Sequence, residues 1–539
     1  MRATHRGWIT LTALTLSGLA SADFPGPAPL AWRWQQPANV VPGPIAHTAD
    51  TVFTAVGKRV YSLDLESGNQ KWRFPVADPL SANLRMGVQL MGSTLVAAAD
   101  DKVVYGLDAA TGEQKWNYTV AQRLICPPVQ SGDLVILAQS DSNIVAVNVN
   151  TGEAAWPNPI KVKDSIRGWV AASGNLLAVF DEGRNINVYD TATQRPVWQT
   201  RVAEMSANVQ PTIVDDTIYF QAGTYALGLS LSGRGRLKFN VNVREFISQP
   251  LAVNQDYVAV TTDQGKVRAF NRSTGRETFR AGVALEGNAV NAPTWVGNKV
   301  AVNTTSGSLM LVDPLVGELL WNYTLRPAFK IVLDDATGGR GGAGGAGLSG
   351  SGGGGGTAQA DNKPPTFMTA SVSPVYVGDT LFLAGRDGSL QAFNAKTGVD
   401  LTPPETKMLW PIPGSELNPT TTTNTRIDLF WQLDDQSSGI RSDSVTVTTG
   451  GKTLEHTLTK DGVLYVRLSN AKNSLRDGRH VFKVTSSDWM GNKTEHEYVL
   501  VLDSTLPKTQ APNSSASQDG GRTAPGAGGT GGAGSSGRP

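Results

Sequence analysis

The sequence has very few of the residue types that carry most redox and nucleophilic chemistry. It contains one cysteine, Cys126, and five histidines in 539 residues. A single cysteine cannot form an intramolecular disulfide, and no sequence pattern pairs Cys126 with a histidine or another cation. Because Cys126 lies in the apolar run RLICPPV, we predict a small buried hydrophobic side chain and not a catalytic thiolate.

Charge is also scarce and balanced. Charged residues make up 17% of the chain, the net charge is +1, and lysines and arginines form no stripe. Nucleic-acid binding needs clustered cations that neutralise phosphates, so we predict no nucleic-acid partner. Beyond the N-terminus no apolar run approaches the length of a membrane-spanning helix, and we expect no transmembrane segment.

The N-terminus has the pattern of an export signal. Two arginines and the uncharged stretch GWITLTALTLSGLA precede ASA at 20–22, a small-x-small cleavage pattern. We predict a signal peptide over residues 1–22; the alternative, an uncleaved membrane anchor, is short for a bilayer. Lipoproteins need a cysteine just after the cleavage site, and 20–26 contain none. We expect an exported protein of the periplasm or cell envelope, soluble and unlipidated.

A glycine followed four residues later by an aromatic side chain recurs about every 40 residues. An Asp or Asn usually precedes the glycine by four residues. Gln194 replaces one glycine, the unit at 228–239 is degenerate, and the eighth copy at 380–398 has Thr402 where the aromatic is due. The repeated residues are Gly68, Gly112, Gly152, Gly275, Gly317 and Gly398, with Trp72, Trp116, Trp156, Trp198, Phe239, Phe279 and Trp321.

Short alternating apolar runs, such as TVFTAV and NIVAVNV, separate these motifs and predict β-strands. The Asp/Asn…Gly element predicts a hairpin turn, in which the side chain accepts backbone N–H groups and glycine takes a positive φ. Each unit therefore predicts four antiparallel strands, and a length of about 40 residues is typical of a β-propeller blade.

The N-terminal segment LAWRWQQPANV carries one further aromatic of the repeat, which we assign to Trp34. This segment predicts a fourth strand without its first three, whereas residues 366–398 predict three strands without a fourth. Pairing of the two would give eight complete blades in a closed ring, without exposed sheet edges. We interpret the repeated tryptophan as a packing residue between blades, because a cofactor needs one site and not seven similar ones.

The segment LDAATGEQKWNYTV resembles the PQQ-type propeller repeat of quinoprotein dehydrogenases, and it also resembles the non-enzymatic BamB-like branch of outer-membrane protein assembly. The resemblance covers about residues 30–400. The enzymes imply a calcium, a catalytic Asp and often a vicinal cysteine pair; one cysteine makes that pair impossible, and we match no calcium or catalytic motif. The BamB-like branch implies a propeller over 30–403 that binds another envelope protein, without catalytic, cofactor or metal residues.

Three further regions complete the chain. A glycine-rich insertion (338–360) contains a formal G-x-G-x-x-G, but no helix pattern follows it, so we predict a flexible surface loop. Alternating runs over 409–504 predict a β-sandwich that resembles bacterial immunoglobulin-like domains. The Gly/Pro/Ser-rich residues 505–539 cannot form a core, and we predict a disordered tail.

Four polar residues near the turns of the predicted sandwich allow two interpretations. Asp434, Asp435, Asp488 and Asn492 have oxygen atoms that suit calcium, but Asp and Asn also stabilise turns by accepting backbone N–H groups. We favour turn chemistry.

The predicted fold class is all-β: an eight-bladed β-propeller closed by an N-terminal strand, followed by a small Ig-like sandwich. The leading hypothesis for function is a monomeric, non-enzymatic ring that mediates protein–protein interaction in the cell envelope. The first alternative is a PQQ-dependent oxidoreductase, with PQQ and calcium as cofactors. The second is cell-wall or polysaccharide binding through the Ig-like domain, which exposed aromatic side chains on that domain would favour.

Overall fold

The structure, a computed structural model, describes Phe24 and residues 26–206, 209–328, 367–412 and 421–508. The predicted signal peptide, the glycine-rich insertion and residues 509–539 of the predicted tail lie outside the described residues. The chain divides into two compact units. The first contains the described residues up to Pro403, together with Asp435–Arg441 and Ser487–Asn492; the second contains Pro404–Asp434, Ser442–Ser486 and the described residues from Lys493 on.

Almost all regular elements are β-strands. In the first unit they are β1 (Leu30–Gln35), β2 (Ala46–His47), β3 (Thr51–Val56), β4 (Arg59–Asp64), β5 (Gln70–Phe74), β6 (Val88–Met91), β7 (Thr94–Ala98), β8 (Val103–Asp108), β9 (Gln114–Thr119), β10 (Val129–Ser131), β11 (Leu134–Ala138), β12 (Asn143–Asn148), β13 (Ile160–Lys161), β14 (Ala171–Ser173), β15 (Leu176–Phe180), β16 (Asn185–Asp190), β17 (Pro196–Arg201), β18 (Thr212–Val214), β19 (Thr217–Ala222), β20 (Tyr225–Ser230), β21 (Leu237–Asn242), β22 (Ala252–Val253), β23 (Tyr257–Thr261), β24 (Lys266–Asn271), β25 (Val283–Ala284), β26 (Thr294–Val296), β27 (Lys299–Asn303), β28 (Ser308–Asp313), β29 (Glu318–Thr324), β30 (Val375–Val377), β31 (Thr380–Ala384) and β32 (Ser389–Asn394).

The remaining strands belong to the second unit, apart from the last residue of β40. They are β33 (Glu405–Trp410), β34 (Thr421–Thr423), β35 (Asp428–Asp434), β36 (Thr446–Thr449), β37 (Lys452–Thr453), β38 (Thr457–Leu458), β39 (Val463–Arg467), β40 (Gly478–Ser487) and β41 (Lys493–Leu502). Two 3₁₀ turns, Ser442–Ser444 and Ala471–Asn473, are the helical elements of the described residues. In this part of the chain no helix is long and apolar enough to cross a membrane.

The described strands of the first unit form eight four-stranded sheets. Seven consist of consecutive strands, from β2–β5 to β26–β29, and the eighth has the order β1-β32-β31-β30. In the eighth sheet, Trp34 pairs with Leu390 and Gln35 pairs with Ser389, antiparallel. The N-terminal strand therefore supplies the fourth strand of the last repeat, which is the pairing expected from the sequence.

Several inner strands are buried on both faces, including all six residues of β3, β19 and β32. A strand is buried in this way when other elements cover both faces of its sheet. Here the neighbouring sheets provide the cover. Eight core clusters each combine residues of two sheets that follow one another in the chain, and one of them joins the last sheet to the first.

A β-bulge precedes the repeated aromatic in most of these sheets. Between β8 and β9, Trp116 faces Gly106 but Gln114 faces Leu107, so Lys115 is the extra residue. A bulge turns a side chain out of the regular alternation, and here the ammonium of Lys115 lies 3.0 Å from the carboxylate of Asp108. The bulge thus allows an ion pair between the Asp at the start of the motif and the lysine just before its aromatic residue.

Two fourth strands are much shorter than the repeat predicts. β13 and β25 have two residues each, and both begin after the aromatic of their motif. In the sequence between Trp156 and β13, Pro157 and Pro159 remove backbone donors that a strand would need. The aromatic is retained although the strand that usually carries it is not.

The single cysteine is buried, as its apolar surroundings in the sequence predicted. Cys126 is 1% exposed and lies in the core cluster shared by the sheets β10–β13 and β14–β17. Burial raises the pKa of the Cys126 thiol to about 11. The thiolate is therefore scarce at neutral pH, and Cys126 functions as a packing residue.

The second unit contains a four-stranded sheet, β33-β35-β39-β38, and a five-stranded sheet, β34-β41-β40-β36-β37. The pairs β33–β35, β35–β39, β38–β39, β36–β37 and β36–β40 are antiparallel, whereas β34 runs parallel to β41. Trp431 of the first sheet and Tyr498 of the second have ring centroids 6.1 Å apart, and Trp431 is fully buried. The two sheets therefore share a core that contains Trp431.

Candidate functional site

The repeated Trp and Gly residues meet across neighbouring sheets and not within one motif. The ring of Trp72 lies on Gly112 of the next sheet, so closely that a Cβ added to this glycine would come within 2.5 Å of the ring. Gly112 also has φ of 75°, a conformation that costs residues with a Cβ. Glycine is thus required twice at this position, for its backbone angle and for the approach of the indole.

Each tryptophan of this kind also donates its indole N–H to a carbonyl of the next sheet. The acceptor is the residue just after the Asp, Asn or Ser that opens the next turn. The pairs are Trp32 to Leu65 (3.1 Å), Trp72 to Ala109 (3.2 Å), Trp116 to Val149 (2.9 Å), Trp156 to Thr191 (3.0 Å) and Trp198 to Leu231 (2.7 Å). These contacts satisfy the one polar atom that a buried indole carries.

The first of these pairs corrects the assignment of Trp34. The residue on Gly68 is Trp32, which faces Ala392 in the position that Trp116 occupies opposite Gly106. Trp34 instead packs on Tyr61, with ring centroids 4.8 Å apart. The assignment was wrong because the segment AWRW has two candidates and the bulge decides between them. The motif QKWRF, where an aromatic follows the Trp by two residues, carried the signal.

Where the repeat departs from tryptophan and glycine, other contacts fill the same places. Phe279 has no N–H, and the hydroxyl of the preceding Thr278 donates to the carbonyl of Pro314 at 2.8 Å. Gln194, in a glycine position, keeps a φ of 59° and donates from its side chain to the carbonyl of Asn158. Gly275 lies beside Val241 of the preceding sheet. A Cβ added to Gly275 would come 3.3 Å from the Cγ2 atom of Val241.

The Asp and Asn residues of the motif stabilise the turns. The Oδ1 atom of Asp108 accepts the backbone N–H groups of Ala110 and Thr111 at 2.9 and 3.1 Å. The hydrogen bond from Lys115, with those of the turn, lowers the pKa of Asp108. Together with the contacts between aromatic rings and glycine turns, these hydrogen bonds show that the repeated residues connect neighbouring sheets.

The joint between the sheets β26–β29 and β30–β32/β1 is built differently. The indole N–H of Trp321 donates to the carbonyl of Ser438 at 3.0 Å, and the hydroxyl of Tyr323 donates to that of Gln436. The backbone N–H of Leu30 donates to the carbonyl of Ser437. We call residues 435–441 the strap. Gly398, the glycine of the eighth repeat, lies against the backbone of Pro29 and not against an aromatic ring.

Three carboxylates meet beside the strap. Asp400, Asp435 and Asp488 each offer an oxygen, and these oxygens all lie within 4.8 Å of one another. Asp400 is 8% exposed and Asp488 is 1% exposed. In the described residues this is the one group of His, Cys, Asp or Glu side chains close enough to share a metal ion. We call it the acidic cluster.

The hydrogen bonds of the acidic cluster are those of tight turns, as the favoured interpretation expected. Asp435 accepts the N–H of Ser437 at 2.8 Å, and Asp488 accepts the N–H of Asn492 at 2.8 Å. The hydroxyl of Ser438 donates to Asp400 at 2.6 Å. Turn chemistry and proximity coexist, because each turn orients its own carboxylate and the tertiary fold brings the three segments together. Burial, and the nearby charges of Asp400 and Asp488, raise the pKa of Asp435.

Of the residues considered as calcium ligands from the sequence, Asp435 and Asp488 belong to this cluster and Asp434 does not. Asn492 lies beside it, where its side-chain amide donates to the carbonyl of Asp400 and to the carboxylate of Asp488. Sequence reasoning missed Asp400. The signal available was the loss of the repeat pattern just after Gly398, where no aromatic follows.

Repeated four-stranded sheets, joined in series through an aromatic ring on the turn of the next sheet, define a β-propeller built from PQQ-like repeats. A family model described as outer membrane protein assembly factor BamB matches residues 56–161 and 230–403, more than half of the chain. The chain belongs to this family.

Individual relatives have low sequence identity to this chain, but the alignments cover most of the length of each relative. The chain is 24% identical to an outer membrane protein assembly factor BamB of Bordetella pertussis over 289 residues, 50% of this chain and 73% of the relative. It is 26% identical to one of Burkholderia pseudomallei over 284 residues, 49% of this chain and 71% of the relative. The crystal structure of BamB from Moraxella catarrhalis aligns at 18% identity with a TM-score of 0.49, covering 68% of this chain and 99% of that one.

Proposed function

We propose that this protein is an exported, non-enzymatic scaffold that binds another protein of the cell envelope during outer-membrane protein assembly. In this proposal the eight sheets of the first unit are the blades of a closed, monomeric propeller, and the second unit is an immunoglobulin-like domain. The observation that carries the proposal is the family match over residues 56–161 and 230–403. The relatives named as assembly factors support it.

One exposed aromatic suits the role of an anchor for a protein partner. Phe246, between β21 and β22, is 53% exposed. Its backbone carbonyl accepts the N–H of Asp263, and the carboxylate of the preceding Glu245 lies 3.2 Å from the ammonium of Lys266. The segment is thus held against the turn between β23 and β24, while about half of the Phe246 side chain remains exposed. Rigid aromatic side chains of this kind dominate many binding interfaces.

Cross-linking in intact cells, followed by identification of the captured protein, tests the proposal. We expect an envelope protein of the outer-membrane assembly system, and about a tenfold lower yield with Phe246→Ala, as for loss of a modest hot spot. Leu237→Ala is the matched control, because Leu237 is 52% exposed but lies on an outer strand. Capture of no envelope protein would contradict the scaffold role. Equal yields from both variants would show that Phe246 is not part of the contact surface.

Glycan binding through the second unit is a second candidate, favoured by a row of aromatic side chains. Trp410, Phe430 and Tyr465 lie opposite one another on β33, β35 and β39, and all three are partly exposed. The rings of Phe430 and Tyr465 are 6.0 Å apart, and the guanidinium of Arg467 lies 5.4 Å from the Tyr465 ring. Aromatic faces beside polar groups suit the apolar faces of sugar rings.

Co-sedimentation of the protein with purified cell-wall material tests this second candidate. Phe430→Ala should release the protein from the pellet, because it removes the central ring of the row. Leu409→Ala should not, since Leu409 is an exposed aliphatic side chain, 43% accessible, on the same sheet. Absence of the wild-type protein from the pellet would remove glycan binding from consideration and leave the scaffold proposal unaffected.

A further inference from the structure

We propose that Asp400, Asp435 and Asp488 bind a divalent cation of the calcium class, and that the cation fastens the strap to the last joint of the propeller. The inference does not depend on the scaffold function, because it concerns how the first unit is held together. It assigns a metal site where the sequence favoured turns alone.

The first step is the charge of the acidic cluster. The three carboxylates approach within 4.8 Å at positions that are almost inaccessible for Asp400 and Asp488. Like charges at this separation repel strongly when water is excluded. None of the three forms an ion pair with a lysine or arginine within the described parts of the chain. A bound cation supplies the missing positive charge.

The second step is an oxygen atom with no partner. The Oδ1 atom of Asp435 accepts the N–H groups of Ser437 and Ser438, but its Oδ2 atom is buried and accepts no hydrogen bond. A buried carboxylate oxygen without a partner loses its hydration without compensation. Because the Asp435 carboxylate belongs to the same cluster as those of Asp400 and Asp488, a cation shared by the three would compensate this oxygen.

The third step is the ligand chemistry. Every side-chain atom that the cluster offers is oxygen, which suits calcium or magnesium and not zinc, which favours nitrogen and sulfur ligands. Oxygens separated by up to 4.8 Å fit the longer bonds and flexible geometry of calcium better than the compact octahedron of magnesium. Each oxygen that already accepts an N–H or O–H keeps a second lone pair, so the turn hydrogen bonds are compatible with metal binding.

The site joins three separate segments of the first unit. Asp400 follows the last sheet of the propeller, Asp435 begins the strap, and Asp488 lies in residues 487–492. The strap is the segment that accepts the indole N–H of Trp321 through Ser438. A cation at the cluster therefore stabilises the contact that replaces the usual Trp-on-Gly arrangement at this joint.

The test uses the full chain, dialysed against EDTA and titrated with calcium chloride, with magnesium chloride in a parallel titration. We expect one calcium per chain, a dissociation constant of about 10⁻⁴ to 10⁻³ M as in extracellular calcium modules, and a higher melting temperature with calcium. Terbium, which substitutes for calcium, should show luminescence on tryptophan excitation because Trp489 follows Asp488 in the chain.

Asp435→Asn is the critical variant, because it removes the charge and preserves an oxygen that can accept the N–H of Ser437. We expect its calcium affinity to fall at least about tenfold, the scale of losing one charged ligand. Asp190→Asn is the matched control: Asp190 accepts the N–H of Thr193 in a similar turn outside the cluster, and Asn148 already fills the equivalent place in another repeat.

Asp400→Asn repeats the test from a different segment, so that misfolding of one variant, judged by near-ultraviolet circular dichroism, does not leave the question open. Loss of calcium binding in the folded cluster variants, but not in Asp190→Asn, supports the site. The proposal is overturned if the wild-type chain binds no calcium at millimolar concentration, if it prefers magnesium, or if the cluster variants bind calcium as well as the control does.

Discussion

Exchange of Gly112 for alanine should destabilise the first unit through two effects that a second variant can separate. The φ of 75° at Gly112 costs a residue with a Cβ about 1–2 kcal/mol. The new methyl group would also lie 2.5 Å from the Trp72 ring, and crowding of this kind costs about 1–3 kcal/mol. The expected loss in the free energy of unfolding is therefore about 2–5 kcal/mol.

Gly92→Ala isolates the backbone contribution. Gly92 has a similar φ of 62°, but no atom lies within 4 Å of the position of an added Cβ. We expect a loss of only about 1–2 kcal/mol. Urea denaturation followed by tryptophan fluorescence measures the loss in the free energy of unfolding for both variants. The midpoint of the first-unit transition is compared under identical conditions. Equal losses would refute the argument that the indole of the preceding sheet requires glycine.

Three other results are expected. Trp32→Phe should lower the same denaturation midpoint more than Trp34→Phe, because only Trp32 loses an indole hydrogen bond worth about 1 kcal/mol; the reverse order would restore Trp34 to the repeat. The Cys126 thiol, whose pKa is raised to about 11 by burial, should not react with a disulfide reagent at about pH 8 until denaturant is added, and fast labelling of the native protein would contradict its burial. Addition of PQQ and calcium should give neither quinone binding nor dye reduction with alcohols or sugars, whereas turnover would favour the quinone-dependent alternative.

The repeat could be predicted because its signals are local. A turn needs its Asp or Asn and its Gly within five residues, and an outer strand needs its aromatic just after them, so each copy is complete in the sequence. The pairing of β1 with β32 also followed, since one terminus lacked three strands and the other lacked the fourth. The choice between Trp32 and Trp34 did not follow from the spacing, because a bulge shifts the register by one residue. The available local signal was the second aromatic two residues after the Trp, as in QKWRF.

The acidic cluster could be predicted only in part, because its members are far apart in the chain. The sequence marked Asp435 and Asp488 as turn residues whose oxygens suit calcium, but no local pattern connects either of them with Asp400. The tertiary fold brings them together, since segments 435–441 and 487–492 lie in the same compact unit as Asp400. The sequence did mark the place indirectly, by omitting the aromatic after Gly398.

The contact between Trp72 and Gly112 gives the repeats that share it two different ends, one that presents the indole and one that presents the glycine turn. Units joined head to tail form either a filament or a closed circle, and the rotation per unit decides which. In a linear series, the indole at one end would have no glycine turn to pack on, and the glycine turn at the other end would have no indole. We therefore expect a substitution on one side of such a contact to require a matching change in the repeat that follows it. In the proposed closed ring, inserting or removing a single repeat would change the angle at every joint.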